Sequence, residues 1–124
     1  MNIIVIGTGM YVTGRGTDGY GTILPAIVEY IRTCGGIDKI SMVGSNGEHS
    51  IAALQKSKLL FDKSGVSCPI EIFPKGNTID SNQYKQVLQG INKPACAIIA
   101  VPDHLHYKIA NDCSMNLKLF NKLN

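Results

Sequence analysis

The 124-residue chain has no tryptophan, and aromatic residues make up only 6% of it. Long apolar runs are also missing, since the longest, at residues 95–101, is far shorter than the roughly 20 residues that a membrane-spanning helix needs. No basic leader precedes the first apolar segment, at residues 3–6, so the sequence predicts no secretory signal. These features predict a cytoplasmic protein that does not enter a membrane.

Arginines and closely spaced cysteines are scarce too. The only arginines are Arg15 and Arg32, and the net charge of +3 comes from 12 basic and 9 acidic side chains. A nucleic-acid-binding domain of this size usually carries a denser basic patch, so we expect no nucleic-acid partner. The 4 cysteines include no pair with the two-residue gap of a zinc site or a redox motif. We expect them to be reduced thiols that hold no metal.

What the chain does contain is an alternation of strand and helix patterns. Short apolar runs predict strands at 3–6, 40–43, 70–73 and 95–101, with a weaker edge strand at 117–123. Apolar residues at helical spacing predict helices over about 22–34, 48–63, 80–91 and 103–115. The uniformly apolar run 95–101 predicts a strand that is buried on both faces. We therefore expect an α/β fold of the Rossmann type, with a doubly wound parallel sheet in three α/β/α layers, formed by residues 1–124 as a single domain.

The strongest motif is the glycine-rich segment 7–21, which follows the first predicted strand. Gly7 permits a tight turn, and Gly9 would let a diphosphate approach the backbone, as in the first part of a dinucleotide-binding motif. Arg15 would add a cationic contact to a phosphate. The position between a strand and a helix favours phosphate binding over the alternative, which is a flexible loop without a ligand.

The third glycine of the dinucleotide-binding motif is replaced by Val12. In that motif the third glycine allows close packing of the first helix on the first strand. We therefore expect the first helix to begin late, with Thr22 as its N-cap, and Gly21 to be the glycine that allows close packing. The backbone N–H groups at this helix start would then face the phosphates.

A second candidate position follows the second strand. Ser45 and Asn46 stand where dinucleotide folds that prefer NAD usually carry an acidic residue for the ribose hydroxyls. Small polar residues tolerate a 2′-phosphate, and Lys56 is a distant counter-charge for it. The sequence therefore favours NADP slightly over NAD. The alternative interpretation is an ordinary polar turn.

A third candidate position follows the fourth strand, where the chain continues as Val101, Pro102, Asp103 and then His104 and His106. The two histidines are two residues apart, so on a helix they point in different directions and do not form a metal site. We expect one of them to face a ligand cleft. The alternative for His106 is a first-turn histidine with no ligand contact.

Three segments, 7–9, 23–27 and 97–106, together resemble the N-terminal domain of the Gfo/Idh/MocA oxidoreductases. The valine and proline followed by aspartate and histidine at 101–104 are the more specific part. The resemblance implies an NAD(P)-dependent dehydrogenase that acts on sugars or related polyols by hydride transfer. It also implies two groups of cofactor-binding residues. The backbone of Gly7, Gly9, Met10 and Tyr11 would hold the pyrophosphate, and Val101, Pro102, Leu105 and His106 would line the ribose–nicotinamide region.

The chain departs from this family in two respects. Lys122 is the only match to a lysine that the family carries in a Glu-Lys-Pro motif, and its neighbours differ. Members of the family also continue into a second domain with the substrate contacts and the catalytic base. We therefore expect the chain alone to bind cofactor weakly, to turn over no substrate and to self-associate. The alternatives are a stand-alone nucleotide- or CoA-responsive module and a domain that no longer binds a ligand.

Overall fold

The computed structural model describes residues 1–117. The described residues form four β-strands, which are β1 (Asn2–Ile6), β2 (Lys39–Val43), β3 (Ile70–Phe73) and β4 (Ala95–Ile99). They also form five helices, which are α1 (Met10–Thr13), α2 (Ile23–Thr33), α3 (Gly47–Ser64), α4 (Gln83–Gly90) and α5 (Asp103–Leu117). None of these helices, within residues 1–117, is long and apolar enough to span a bilayer.

The four strands form one sheet with the order β3-β2-β1-β4, and every neighbouring pair is parallel. Val5, in the middle of β1, is in register with Met42 of β2 on one side and Ile98 of β4 on the other. The order reverses beside β1, because β2 and β3 extend to one side and β4 lies on the other. The predicted α/β class and parallel sheet are thus confirmed, and the fold is Rossmann-like.

Alternate residues of β1 enter two separate hydrophobic clusters, as expected for a strand with side chains on both faces. Ile3 and Val5 pack in one cluster with residues of α2 and α3. Ile4 and Ile6 pack in the other with residues of α4 and α5. All five residues of β1 are buried, which makes it the most deeply enclosed strand of the sheet.

The region after β1 differs from the prediction, because a short helix, α1, forms within the expected loop. Val12 is 1% exposed and belongs to the hydrophobic cluster of α2, so tertiary burial stabilises this turn. Gly14 ends it in the left-handed conformation. The predicted late helix also exists, as α2 with Thr22 at the N-cap position, but the Thr22 side chain makes no capping hydrogen bond.

Gly21 does allow close packing, although against α1 and not between a helix and a strand. Its φ is +77°, and a Cβ placed there would lie 2.7 Å from the Tyr11 carbonyl oxygen. The Thr22 N–H donates to the same carbonyl over 2.7 Å. The turn before α2 is thereby held against the end of α1, and the N-terminus of α2 is not among the residues that line the cleft described below.

The middle of the chain follows the sequence pattern closely. The predicted helix 48–63 is observed as α3, with Asn46 as its N-cap and Gly65 as its C-cap in the left-handed conformation. The predicted third strand coincides with β3. The fourth helix begins later than predicted, at Gln83, because the Asp80 carboxylate accepts a hydrogen bond from the Asn82 N–H and forms a turn there.

One prediction for the C-terminal third was wrong. The strand β4 ends at Ile99 and lies at the edge of the described sheet, with Cys96 exposed, so it is not buried on both faces. Of the predicted fifth strand only Leu117 is described, and it belongs to α5. The rest of the predicted fifth strand and Lys122 lie outside the described residues.

Candidate functional site

A cleft of about 400 Å³ opens at the carboxyl ends of β1, β2 and β4. Its walls are formed by the segments 6–9, 43–45 and 100–102, which follow these strands, together with side chains from the loop after α1 and from α3, α4 and α5. This is the point at which the strand order reverses, where open parallel sheets bind their ligands. The cleft is therefore the candidate site.

A smaller hollow of about 240 Å³ lies beside β3 and α4. Lys39 and Glu71, which line it, form a salt bridge of 3.0 Å. This bridge lowers the pKa of the Glu71 carboxyl, chiefly through the hydrogen bond from Lys39. Because these two charges neutralise each other, the hollow offers a ligand fewer unpaired charged groups than the cleft does.

Gly7 closes the floor of the cleft. Its N–H donates to the Val43 carbonyl over 2.8 Å, so it continues the ladder between β1 and β2. Its φ is +123°, and a Cβ placed there would lie 2.9 Å from the carbonyl carbon of Ala100 and closer still to the oxygen. Glycine is required at this position because the backbone that follows β4 passes directly over it.

Gly9 differs from Gly7, because a side chain there would meet no backbone. Its φ of −85° is open to any residue, and the nearest atom to an added Cβ is Nη2 of Arg15, at 3.8 Å. Arg15 also lines the cleft and forms no ion pair within residues 1–117. Bare backbone and a free guanidinium thus lie side by side, an arrangement suited to a phosphate.

The structure brings most of the sequence-predicted residues together in this cleft. Most of them follow the ends of the three strands, whereas Arg15 lies in the loop after α1 and Leu105 lies in α5. The residues are Gly7, Gly9, Arg15, Ser45, Val101, Pro102 and Leu105. Their convergence follows from the parallel sheet, since the carboxyl ends of parallel strands meet at one edge.

Four predicted residues do not line the cleft. Met10 and Tyr11 are 51% and 70% exposed on α1, outside the cleft. The Asn46 side chain accepts hydrogen bonds from Glu48 N–H and from the next residue, so it is the cap of α3. His106 is exposed, and its Nε2 lies 2.8 Å from the Val101 carbonyl oxygen. The His106 ring is therefore engaged by the backbone carbonyl of Val101, five residues before it in the chain.

Sequence reasoning missed several residues of the cleft. Thr8 is 6% exposed, and its Oγ1 lies 2.9 Å from the position of a Cβ on Gly44, so the two residues pack together. His49 lines the cleft from the first turn of α3, and Tyr84 lines it from α4. No local motif marks His49 or Tyr84, because each reaches the cleft only through the packing of its helix on the sheet. Thr8 instead lies between Gly7 and Gly9, within the glycine-rich segment itself.

Tyr84 links α4 to α5 beneath the cleft. Its hydroxyl donates to Asp112 Oδ2 over 2.7 Å, and its ring is 4% exposed. Burial raises the pKa of the Tyr84 phenol to about 12, and the hydrogen bond to the Asp112 carboxylate adds to the rise. Ionisation of this phenol therefore opposes the folded state.

Replacing Tyr84 with phenylalanine should change the pH dependence of stability. The folded pKa is about 12 and the reference value is 10.0, so the folded wild type holds a proton that the unfolded chain loses between these pH values. Its free energy of unfolding should therefore fall as pH rises from about 10 to 12, by about 2 to 3 kcal/mol. The Tyr84→Phe variant should not show this pH-dependent loss when its free energy of unfolding is measured by urea titration at each pH. Tyr107→Phe, at an 85% exposed position, is the control and should keep it.

The loop between α1 and α2 is held against α3 by Lys56. Its Nζ donates to the Thr17 carbonyl over 2.8 Å and also to the Gly19 carbonyl. The same Nζ lies 5.3 Å from the centre of the Tyr20 ring. The prediction that Lys56 is a distant counter-charge for a 2′-phosphate was therefore wrong, because its ammonium group is engaged by the glycine-rich loop.

Replacing Lys56 with methionine should loosen this loop. The variant loses charge-assisted hydrogen bonds, and we expect a loss of about 1 kcal/mol of stability. Amide hydrogen exchange should become faster across residues 14–21, where the freed carbonyls lie. Lys58→Met, on the exposed face of the same helix, is the control. Equal exchange rates in the wild type and both variants would show that Lys56 does not hold the loop.

The lining of the cleft contains no carboxylate within the described residues, whereas Arg15 and His49 are both present. Hydroxyl groups of Thr8, Ser45 and other residues add hydrogen-bond donors. Residues 1–117 contain no group of three or more histidine, cysteine, aspartate or glutamate side chains that could hold a metal ion. The electrostatics of the cleft therefore suit an anionic organic ligand.

Comparison of the chain with protein-family models, with curated proteins and with solved structures gave no match.

Proposed function

We propose that the protein binds a nicotinamide dinucleotide, with its diphosphate against the backbone at Gly9. The single observation that supports this most strongly is the open backbone of Gly9 beside the Arg15 guanidinium, at the reversal point of a parallel sheet. Two phosphates need donors and positive charge there, and both are present. The two hydrophobic clusters support a three-layer α/β/α arrangement in a single domain for this function.

The choice between NADP and NAD depends on the end of β2. Ser45 is exposed in the cleft, and within the described part of the chain no acidic side chain lines this part of it to bind a free ribose diol. This supports the slight preference for NADP. Lys56 no longer contributes to that preference, because it is bonded to the loop after α1.

The oxidoreductase activity rests on the resemblance of the sequence to the Gfo/Idh/MocA family. Val101, Pro102 and Leu105 line the cleft on the side of β4, which supports the proposal that they contact the nicotinamide half of the cofactor. When bound, the nicotinamide would exchange a hydride with a carbinol carbon of a sugar or polyol. We propose that this chain supplies the cofactor-binding part and that the proton acceptor lies outside residues 1–117. A role for Lys122, the cytoplasmic location and self-association stay predictions.

A second candidate function is a binding module that responds to CoA and performs no redox chemistry. CoA also carries an adenosine diphosphate group, which the Gly9 and Arg15 arrangement would hold equally well. The observation that favours it is the combination of Arg15 and His49 in a cleft to which residues 1–117 contribute no carboxylate, since CoA bears one more phosphate than NAD.

Titration with NAD, NADP and CoA tests these proposals. Isothermal calorimetry is the best readout, because the chain has no tryptophan for fluorescence quenching. Heat of binding with NADP or NAD, and none with CoA, supports the dinucleotide proposal. Binding of CoA alone supports the second candidate. No binding of any of the three ligands at millimolar concentration would overturn both and favour a domain without a ligand.

A further inference from the structure

His49 is a cleft residue that the glycine motif does not predict. It lies in the first turn of α3, where its backbone N–H donates to the Asn46 side chain over 3.4 Å. Its side chain is exposed and lines the cleft, and its ring makes no hydrogen bond within residues 1–117. An imidazole donates one hydrogen bond when neutral and two when protonated. The ring is therefore available to an anionic group of a ligand.

The position of His49 indicates which part of a ligand it would contact. Ser45 follows β2, and the side chains of Ser45 and His49 line the cleft on the side of β2. Arg15 lies instead beside Gly9, after β1. The strands β1 and β2 are neighbours in the sheet, and neighbouring strands are about 4.8 Å apart, so the two polar regions follow different strands separated by this spacing. With a diphosphate at Gly9, the adenosine ribose would extend toward β2, as in other folds of this topology.

We propose that His49 and Ser45 bind a phosphomonoester group on the adenosine ribose of the ligand. A free ribose diol is usually bound by a carboxylate after the second strand, and among residues 1–117 no carboxylate lines this cleft. The nearby Glu48 is exposed outside the lining, and the Asp80 carboxylate is engaged by the Asn82 N–H. The proposal rests on the proposed function, because it assumes that a diphosphate or a 5′-phosphate binds at Gly9.

Two sources share this chemistry, since NADP carries the phosphomonoester on the ribose 2′-oxygen and CoA carries it on the 3′-oxygen. Adenosine 2′,5′-bisphosphate and adenosine 3′,5′-bisphosphate are the matching fragments, and adenosine 5′-monophosphate is the control ligand without the second phosphate. Calorimetric titration of the full chain with these three fragments measures the contribution of the ribose phosphate directly.

We expect one of the two bisphosphates to bind about 10-fold more tightly than the monophosphate, the effect of one charge-assisted contact. The tighter of the two identifies the 2′- or the 3′-phosphate as the source. His49→Gln should remove most of this ratio and leave the affinity for the monophosphate unchanged. His104→Gln, at an exposed histidine outside the cleft, should keep the ratio.

Two results would overturn the inference and leave the proposed function standing. One is equal affinity of the wild type for all three fragments. The other is a His49→Gln variant that loses the same factor for every fragment, or none. If the wild type binds none of the three fragments and none of the intact dinucleotides, both the inference and the proposed function are wrong. If Gly9→Val weakens the binding of all three fragments by the same factor, the shared 5′-phosphate binds at Gly9, and the ribose phosphate binds at a different position.

Discussion

Replacing Gly7 with alanine is expected to destabilise the protein by about 3 kcal/mol or more. The φ of +123° disfavours any residue with a side chain, and residues held in such regions cost roughly 1–3 kcal/mol. The added Cβ would also collide with the Ala100 carbonyl, and overpacking of this kind costs roughly 1–3 kcal/mol more. Because Gly7 also bonds to Val43, the strain would reach all three strands around the cleft.

Urea denaturation followed by circular dichroism measures this loss. Gly16→Ala separates its two causes, because Gly16 has a φ of +81° and no atom within 4 Å of an added Cβ. This control incurs the backbone strain alone, about 1 kcal/mol. If the two alanine variants unfold at the same urea concentration, the close approach of Gly7 to the backbone after β4 does not limit the choice of residue.

Replacing Gly9 with valine is expected to weaken dinucleotide binding at least 100-fold and to leave the fold intact. The backbone at Gly9 is extended, with φ −85° and ψ −160°, so a β-branched residue is tolerated there. The space that its side chain enters is the space assigned to the diphosphate, beside Arg15. Loss of close backbone approach and of the phosphate hydrogen bonds is worth about 3 kcal/mol, which is about 100-fold in affinity.

The readouts for this variant are calorimetric affinity for the dinucleotide and the urea midpoint. Gly90→Ala is the matched control, since Gly90 is the last residue of α4, does not line the cleft, and has no described atom within 4 Å of an added Cβ. It should leave the affinity unchanged. An unchanged affinity in Gly9→Val, with a wild-type midpoint, would exclude the diphosphate from the loop after β1.

Gly7 and Gly9 show how much of the candidate site the sequence alone predicts. Both were predicted as turn and backbone-approach positions from their spacing after a β-branched strand. The structure separates them, because only Gly7 is confined by the chain that follows β4. That confinement involves residues far apart in the sequence, and no local pattern encodes it.

The short helix α1 is a second feature that local sequence patterns do not predict. Its residues Tyr11, Val12 and Thr13 are weak helix formers, and the Gly9 N-cap has no side chain to accept a hydrogen bond. Local propensity therefore predicts a loop. The helix is stabilised by the burial of Val12 under α2 and by the approach of Gly21 to the carbonyls of Met10 and Tyr11, both of which depend on the tertiary structure.

Some residues of the candidate site could be predicted from the sequence, and others could not. The residues at strand ends were predictable, since they follow periodic strands directly and parallel strands present their carboxyl ends at one edge. His49 and Tyr84 were not, because each lies inside a helix and reaches the cleft only through the way that helix packs. The sequence predicted the wrong role for Lys56, because its contact with the loop after α1 forms only in the folded structure.

The sequence by itself determined the order and type of the main strands and helices, because apolar periodicity records which side of each element is buried. It also placed glycines where the backbone must bend after β1. The tertiary structure decided the strand order around β1, the edge position of β4 and the side chains that line the cleft. These depend on contacts between distant residues, whose energies no local pattern of side chains expresses.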